Sequence, residues 1–192
     1  LRLVGLGADT GFDVQLPATF AVPEAWASLL DANAKTEPTQ TVYASIVGHG
    51  SIRTGWSSND LALVFRSGPK ESAIGHNQFD AGSFVLGKQG EWLLGDPGYR
   101  SFELPDLNNY TAGSWGHNTW LVDGQGQNSL TGAEITGTAS AGALSAICGE
   151  FAPTYADQGL SAARRCLFTI DQNTAVVSDH AQAPASHDVE LL

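Results

Sequence analysis

Three polar residues alternate near the middle of the chain: His76, Gln78 and Asp80. In an extended segment this alternation places their side chains on one face. Asp96 follows in the next stretch, and His117 comes after it in a similar polar cluster. An imidazole, an amide oxygen and a carboxylate can together hold a divalent cation. We therefore predict that Gln78, Asp96 and His117 form a three-ligand metal site across neighbouring antiparallel strands.

The donor set of this predicted site is mixed. Imidazole and carboxylate suit zinc, whereas the amide oxygen of Gln78 favours harder ions such as manganese or calcium. The prediction is one divalent cation, with zinc placed first and manganese or calcium as alternatives. A structural interpretation also stays open, in which Gln78 and Asp96 only hydrogen-bond the backbone at tight turns.

A hairpin must bring Asp96 back to the level of Gln78. Residues 83–86 have the apolar composition of a strand, and residues 91–94 predict the returning strand. Between them, residues 88–90 read Lys-Gln-Gly, in which the glycine supplies the positive φ of a hairpin turn. The Asp-Pro-Gly sequence that begins at Asp96 then ends the second strand with another turn.

Further strand-like segments separated by turn residues follow one another roughly every 8 to 12 residues, which is typical of a sandwich. We therefore predict an all-β fold, an antiparallel β-sandwich. The remaining predicted strands span residues 41–47, 51–56, 61–67, 119–122, 135–140, 143–151, 164–171 and 174–180.

The first 40 residues differ from the rest of the chain. Pro23 begins a run of helix formers and predicts a short helix over residues 23–33. Residues 35–40 are polar, contain a proline and predict a linker. The sequence therefore predicts two parts, a junction at 1–40 and a β-sandwich domain at 41–192.

The amino-acid composition narrows the classes of partner that the chain could bind. The 192 residues carry a formal net charge of -11, which argues against nucleic acid and anionic membranes as partners. No apolar stretch approaches the roughly 20 residues of a membrane-spanning helix. The chain starts at Leu1, contains no methionine and ends in a strand-like segment. These features predict a β-domain that is truncated at both ends.

Cys148 and Cys166 lie in two segments that can pair as adjacent strands. A disulfide between them would indicate an oxidising compartment. The alternative is two small, buried, unbonded side chains. The sequence leaves both alternatives open.

The motifs around these residues resemble the β-domain of the heparinase II/III-like polysaccharide lyases, which are related to alginate lyases and uronyl epimerases. The resemblance covers roughly residues 40 to 190. It rests on HNQFDAGSF at residues 76–84, GEWLLGDPG at 90–98 and GHNTWLVDGQGQ at 116–127. It implies a supersandwich-like fold, with residues 1–40 left from an upstream helical toroid.

The resemblance also implies an activity. The parent protein would cleave a uronate-containing polysaccharide or oligosaccharide by β-elimination, in the periplasm or outside the cell. The principal catalytic tyrosine and a partner histidine would belong to the helical toroid, so this chain would be inactive alone. A rival hypothesis is a non-catalytic carbohydrate-binding or structural β-domain with a vestigial metal site.

Residue roles follow from the same resemblance. His76 would face the substrate and neutralise the uronate carboxylate, and Tyr110 would assist proton transfer. Asp80 would orient His76 or His117 by hydrogen bond. Substrate contacts would come from Tyr99, Arg100 and Trp115. Many relatives have histidine where Gln78 stands, and their cation is mainly structural. The loop before His117 lacks an arginine that is usual in the family.

Overall fold

The computed structural model of this chain describes residues 42–45, 47–71, 77–98 and 110–192. All of them belong to one of the chain's two compact units, Gln40–Leu192. The helix predicted over residues 23–33 and the linker that follows it lie outside the described residues.

The first sheet contains five antiparallel strands in chain order. Its β4–β5 hairpin turns through Gln89 and Gly90, whose φ angles are 57° and 78°. Positive φ at both turn positions matches the right-handed twist of paired strands. The predicted hairpin is therefore confirmed. The strands are β1 (Val42–Ala44), β2 (His49–Arg53), β3 (Ala62–Arg66), β4 (Phe84–Lys88) and β5 (Glu91–Leu94).

The second sheet contains four antiparallel strands in the order β10-β9-β8-β7. Cys148 on β8 lies directly opposite Cys166 on β9, and the two form a disulfide. Of the two alternatives left open by the sequence, the bonded one is found. The strands are β7 (Glu134–Ala141), β8 (Leu144–Glu150), β9 (Ala162–Asp171) and β10 (Thr174–Gln182).

A smaller third sheet pairs two short strands, β6 (Trp120–Val122) and β11 (Val189–Leu191). The described residues also contain two 3-10 helices, Ser114–Gly116 just before β6 and Ala152–Tyr155 between β8 and β9. Both helices are short, and both carry buried residues. Within the described residues no helix is long and apolar enough to cross a membrane.

One hydrophobic core lies between the two large sheets. Ile52, Phe65 and Phe84 come from the five-stranded sheet, and Ile147 and Leu167 come from the four-stranded sheet. Alternation along each strand sends these side chains inward, since successive residues of a strand point to opposite faces. Two antiparallel sheets joined by a shared apolar layer form a β-sandwich. The predicted fold class is confirmed.

A second core lies beneath the polar motifs. Trp120 and Phe151 meet edge to face with ring centroids 4.9 Å apart, and Tyr155 packs beside them. The Tyr155 hydroxyl donates a hydrogen bond to the Trp120 carbonyl at 2.6 Å, so its polar end is satisfied. Such aromatic pairs stabilise by about 0.5–1.5 kcal/mol beyond the area that they bury. This cluster gives β6, and the segment before it, a rigid base.

Candidate functional site

Asp96 is positioned by the turn that follows β5. Its Oδ1 atom accepts a hydrogen bond from the backbone N–H of Gly98 at 2.8 Å. The structural interpretation that the sequence left open for Asp96 includes a side-chain-to-backbone hydrogen bond of this kind at a tight turn. The other oxygen, Oδ2, lies 2.7 Å from Nδ1 of His117. The Asp96 carboxylate therefore joins its own turn to the imidazole of His117, which lies in a segment distant in sequence.

His117 follows directly after the 3-10 helix 114–116. Its backbone N–H donates to the carbonyl of Ser114 at 3.1 Å, which closes the last turn of that helix. The hydroxyl of Ser114 donates to the carbonyl of Phe79 at 2.8 Å. The helix is thereby anchored to the segment that carries Gln78 and Asp80. The His117 side chain is inaccessible to solvent, whereas that of Asp96 is 25% exposed.

The close approach of the segment before His117 to the turn at Asp96 requires a glycine at position 116. A Cβ atom placed there would lie 2.6 Å from the backbone oxygen of Tyr110 and 3.2 Å from Cγ of Pro97. Real Cβ atoms do not approach backbone oxygen that closely. Gly116 therefore lets the backbone before His117 pass close to the turn that carries Asp96.

Asn118 fixes the same junction through its amide. Its Nδ2 donates to the carbonyl of Phe84 and to that of Gly95, both at 2.8 Å. These carbonyls lie at the start of β4 and just after the end of β5. The hydrogen bonds tie both strands of the hairpin to the segment before β6. Asn118 therefore fixes the entry of the chain into β6.

Residues 77–83, which we call the arm, pass beside the Asp96–His117 pair. The backbone N–H of Phe79 donates to the carbonyl of Ala112 at 2.9 Å. The hydroxyl of Thr119 donates to the carbonyl of Ala81 at 2.6 Å. Gly82 has a φ of 80°, and a Cβ atom there would meet the Phe151 ring at 2.7 Å. The arm is therefore held along its length, and its sharp turn requires a glycine.

Asp80 lies buried in the arm and pairs with Arg66 of β3. Nε of Arg66 is 2.6 Å from Oδ1 of Asp80. Burial raises the pKa of Asp80 above its ordinary value, although the charges of Arg66 and His117 act in the opposite direction. Of the two histidines predicted to bond Asp80, His117 bonds Asp96 instead, and His76 lies outside the described residues, so that part of the prediction stays a prediction.

Asp96 titrates differently from Asp80. Burial alone would raise the pKa of Asp96, but the hydrogen bonds from His117 and Gly98 outweigh it, and the pKa lies below its ordinary value. The carboxylate is therefore the stable form beside the imidazole at neutral pH. Two neighbouring carboxyl groups thus have pKa values shifted in opposite directions.

The remaining predicted residues fall into two groups. Gln78 is half-buried, and its side chain forms no hydrogen bond within the described part of the chain. Tyr110 and Trp115 are exposed, at 52% and 50%, on the segment that leads to His117. Trp120, by contrast, belongs to the core. His76, Tyr99 and Arg100 lie outside the described residues, so their predicted roles stay predictions.

Sequence reasoning missed Arg165. Its side chain is only 2% exposed and forms two bonds to Asp179, with Nε–Oδ1 at 2.7 Å and Nη2–Oδ2 at 3.0 Å. Its Nη1 donates to the carbonyl of Gly82, which lies in the arm, and to that of Asn118, which follows His117. The signal was an arginine at an inward position of an alternating strand, opposite an aspartate on the next strand.

Sequence reasoning also missed Gln127. Its Oε1 accepts from the N–H of Ala81 at 3.0 Å, and its Nε2 donates to the carbonyl of the same residue at 2.7 Å. The amide therefore pairs with one residue of the arm as a neighbouring strand would. Gln127 is the last residue of the GHNTWLVDGQGQ motif, so the motif itself was the available signal.

The donors at this site suit a cation only in part. Nε2 of His117 is buried and has no hydrogen-bond partner among the described residues, so this nitrogen is free to bind a ligand. Both oxygens of Asp96 already have partners. The described residues contain no group of three or more His, Cys, Asp or Glu that could hold a metal. Gln78 stays the predicted third donor, and its amide oxygen has the required chemistry.

The chain matches one family over most of its length. Residues 44–192 match the family model described as Heparinase II/III-like, C-terminal. A comparison with curated proteins found no match.

Solved structures of lyases share the fold. A heparinase III with methylated lysines is 21% identical, with a TM-score of 0.71 over 86% of this chain and 27% of that one. A mutant heparan sulfate lyase HepC from Pedobacter heparinus is 22% identical, with a TM-score of 0.70, and the match covers 86% and 28% of the two chains. This chain thus spans about a quarter of the length of those proteins. On the family match, the chain belongs to the heparinase II/III-like family, and residues 44–192 are its C-terminal domain.

Proposed function

We propose that this chain is the β-sandwich part of a lyase that cleaves uronate-containing polysaccharides or oligosaccharides by β-elimination. One observation carries the proposal. The three motifs that define the resemblance meet in one place, where the arm, the turn at Asp96 and the segment at His117 are joined by hydrogen bonds. The family membership of residues 44–192 supports the same reaction class.

β-Elimination of a uronate removes the C5 proton and expels the sugar linked at position 4. The C5 proton is weakly acidic, so the site must neutralise the carboxylate and stabilise the charge that develops as the proton leaves. We assign the neutralisation to His76. Tyr110 assists the proton transfer, because its phenol is exposed beside the site and can donate or accept a proton.

Substrate binding would involve an aromatic and a cationic contribution. Trp115 presents an exposed ring, and aromatic faces of this kind pack against the apolar faces of sugar rings. Tyr99 and Arg100 follow the turn at Asp96 in sequence, and we assign them contacts with hydroxyl and carboxylate groups of the glycan. The substrate partner is therefore an acidic polysaccharide or oligosaccharide.

The cation proposed for this site would be held by Gln78, Asp96 and His117, with zinc as the first choice and manganese or calcium as alternatives. When bound, it would supply a fixed positive charge that clips the arm to the hairpin. The support is the free, buried Nε2 of His117 and the mixed oxygen and nitrogen donors. Carboxylate neutralisation and proton transfer are assigned to side chains, and neither step uses this cation.

The remaining parts of the proposal concern partners and location. An upstream helical toroid of the same protein would supply the principal catalytic tyrosine and its partner histidine. A periplasmic or secreted location is supported by the disulfide between Cys148 and Cys166, since such bonds persist in oxidising compartments.

The test is absorbance at the unsaturated-uronate band, measured over a panel of uronate glycans with a polypeptide that joins this chain to the helical domain. We expect turnover on at least one glycan. His76→Ala should lower kcat by roughly 10²–10⁴-fold, the usual contribution of a residue that acts directly on the reacting group. Circular dichroism should show an unchanged fold.

His180→Ala is the matched control, because His180 is an exposed histidine on β10, away from the motifs. It should leave turnover unchanged. Full turnover in His76→Ala would remove His76 from the mechanism, and no unsaturated product on any glycan would refute the lyase proposal itself.

The second candidate function is a carbohydrate-binding or structural β-domain with a vestigial metal site. One observation favours it: the His117 side chain is inaccessible to solvent and engaged with Asp96, as expected for a clip between strands. This candidate predicts glycan binding without unsaturated product in the same assay, so one experiment separates the two functions.

A further inference from the structure

Arg66 is at the centre of a cluster of one ion pair and two hydrogen bonds beside the arm. Its three guanidinium nitrogens each have a different partner. Nε pairs with Asp80 at 2.6 Å, Nη1 lies 3.0 Å from Nε2 of His49, and Nη2 donates to Oδ1 of Asn77. Asn77 and Asp80 belong to the arm, whereas His49 faces Arg66 across the β2–β3 pair. The planar fork of arginine suits three divergent partners, which a lysine ammonium cannot reproduce.

The backbone of Arg66 binds the far end of the same arm. Its N–H donates to the carbonyl of Ser83 at 2.9 Å, and its carbonyl accepts from the N–H of Gly82 at 2.7 Å. Its side chain reaches back to Asn77 and Asp80. One residue of β3 therefore contacts both ends and the middle of the arm, and it encloses Gln78 between its points of contact.

His49 completes the cluster as an acceptor. The guanidinium can only donate, so Nε2 of His49 accepts and its proton lies on Nδ1. Burial, and then the charge of Arg66, hold the pKa of His49 below its ordinary value. A neutral imidazole at this position agrees with the hydrogen-bond geometry. Asn77 is fixed a second time, since its Nδ2 donates to the carbonyl of Leu130 at 2.8 Å.

We propose that Arg66 is a positioning residue of the site, which uses its fork to hold residues 77–83 in place against the Asp96–His117 pair. The placement of the arm against that pair comes from separate contacts, Phe79 with Ala112 and Ser114 with Phe79. Without the fork, the segment around Asn77 and Asp80 would lose its side-chain anchor on β3, while the contacts of Phe79, Ala81 and Gly82 would remain. The consequence for catalysis rests on the proposed lyase function, whereas the consequence for the order of the arm does not.

The test compares four variants of the full-length polypeptide. Arg66→Gln removes the fork, and Arg66→Lys keeps only the charge. Because Arg66→Gln leaves the carboxylate of Asp80 buried and unpaired, the double variant Arg66→Gln/Asp80→Asn removes both charges together. Arg53→Gln is the matched control, since Arg53 lies on neighbouring β2 and its guanidinium stacks on Trp56, 4.6 Å from the ring centroid.

The first readout is amide hydrogen exchange, which needs no activity. In the double variant and in Arg66→Lys, exchange in peptides covering residues 77–83 should rise by roughly tenfold or more, while peptides of β8 and β9 keep their protection. The second readout is kinetic. Both variants should lower kcat by about tenfold while KM changes by less than about threefold, because the arm is misplaced and the glycan contacts are retained. Arg53→Gln should match the wild type in both readouts.

Unchanged exchange of the arm in both the double variant and Arg66→Lys would overturn the proposal. So would a uniform loss of protection across β8, β9 and the arm, since that result indicates a general role in stability. If the wild type produces no unsaturated product but the arm loses protection in the variants, the lyase function fails and the positioning role stands. If the arm loses protection but kcat is unchanged, the catalytic part of the inference is overturned.

Discussion

At the scale of single residues, the site depends on how the two nitrogens of one imidazole are used. Nδ1 of His117 is held by Asp96, and Nε2 is buried without a partner among the described residues. A carboxylate behind an imidazole fixes the orientation and the tautomer of the ring and makes its other nitrogen a better ligand. Asp96 therefore acts on His117 directly, and the weakest of the three proposed donors is Gln78.

Gln78→His should raise the affinity for zinc by at least roughly tenfold, because imidazole is a stronger zinc ligand than an amide oxygen. Isothermal titration calorimetry on metal-stripped protein measures this directly. Gln125→His is the control, since Gln125 is exposed in the loop after β6 and the added histidine should not change the affinity. Equal zinc affinity in all three proteins would show that position 78 does not face the site.

At the scale of the elements, the site is a junction of three chain segments, and Arg165 of β9 lies beneath it. Its guanidinium is buried between the Phe84 and Trp120 rings and bonded to Asp179. It also satisfies the carbonyls of Gly82 and Asn118, one from each segment that it supports. A buried ion pair of this kind contributes less to stability than to the definition of one arrangement, but the loss of one partner is costly.

Arg165→Met should lower the free energy of unfolding by about 3–5 kcal/mol, because it leaves the Asp179 carboxylate and two carbonyls without their partner. Urea denaturation with a two-state fit measures the loss. Arg164→Met is the neighbouring control: its side chain is 56% exposed and lies 3.7 Å from Glu150, so the loss should stay within about 1 kcal/mol. Similar losses in the two variants would contradict the role assigned to Arg165.

The strands were the most predictable part of the molecule. Period-two alternation and turn residues located β2 through β10 to within a few residues, and the Gln-Gly turn of the hairpin was identified from its residue types. These signals are local, since they depend on neighbouring residues alone. The hairpin and the family motifs assigned Asp96 and His117 to one predicted metal site, but they did not predict the direct contact between the two side chains.

The partners of the buried charges could not be predicted from the sequence. Asp80 pairs with Arg66, a partner that the sequence did not indicate, and Arg165 was not singled out at all. Which cation reaches which carboxylate depends on how two sheets are stacked, and strand alternation does not determine this. Alternation does show that Arg165 points inward, and an inward arginine requires a partner.

At the scale of the whole molecule, the available positive charge is small. The chain carries a net charge of -11, while the proposed substrate is a polyanion. The described residues include six Lys and Arg: Arg53, Arg66, Lys70, Lys88, Arg164 and Arg165. Four of them pair with carboxylates, Lys88 bonds Gln172 and Asn173, and Arg53 stacks on Trp56. Under the proposed function, the positive charge for the glycan would therefore come mainly from outside the described residues.

The 192-residue chain by itself should neither cleave a uronate glycan nor bind one tightly. Long-range repulsion between a protein of charge -11 and a polyanion opposes association, and salt screens this repulsion. On a column of immobilised heparin, the isolated chain should elute in the void volume at low salt, and its elution volume should not change as the salt concentration rises. A polypeptide that includes the helical domain should be retained and should release unsaturated product. Proximity of acid, base and substrate can lower a barrier by roughly 7–11 kcal/mol, and a cleft that lacks one wall loses most of this effect.

Retention of the isolated chain at low salt with release at high salt would show that the basic groups are local. Turnover by the isolated chain at the rate of the longer polypeptide would show that the catalytic residues lie within these 192 residues.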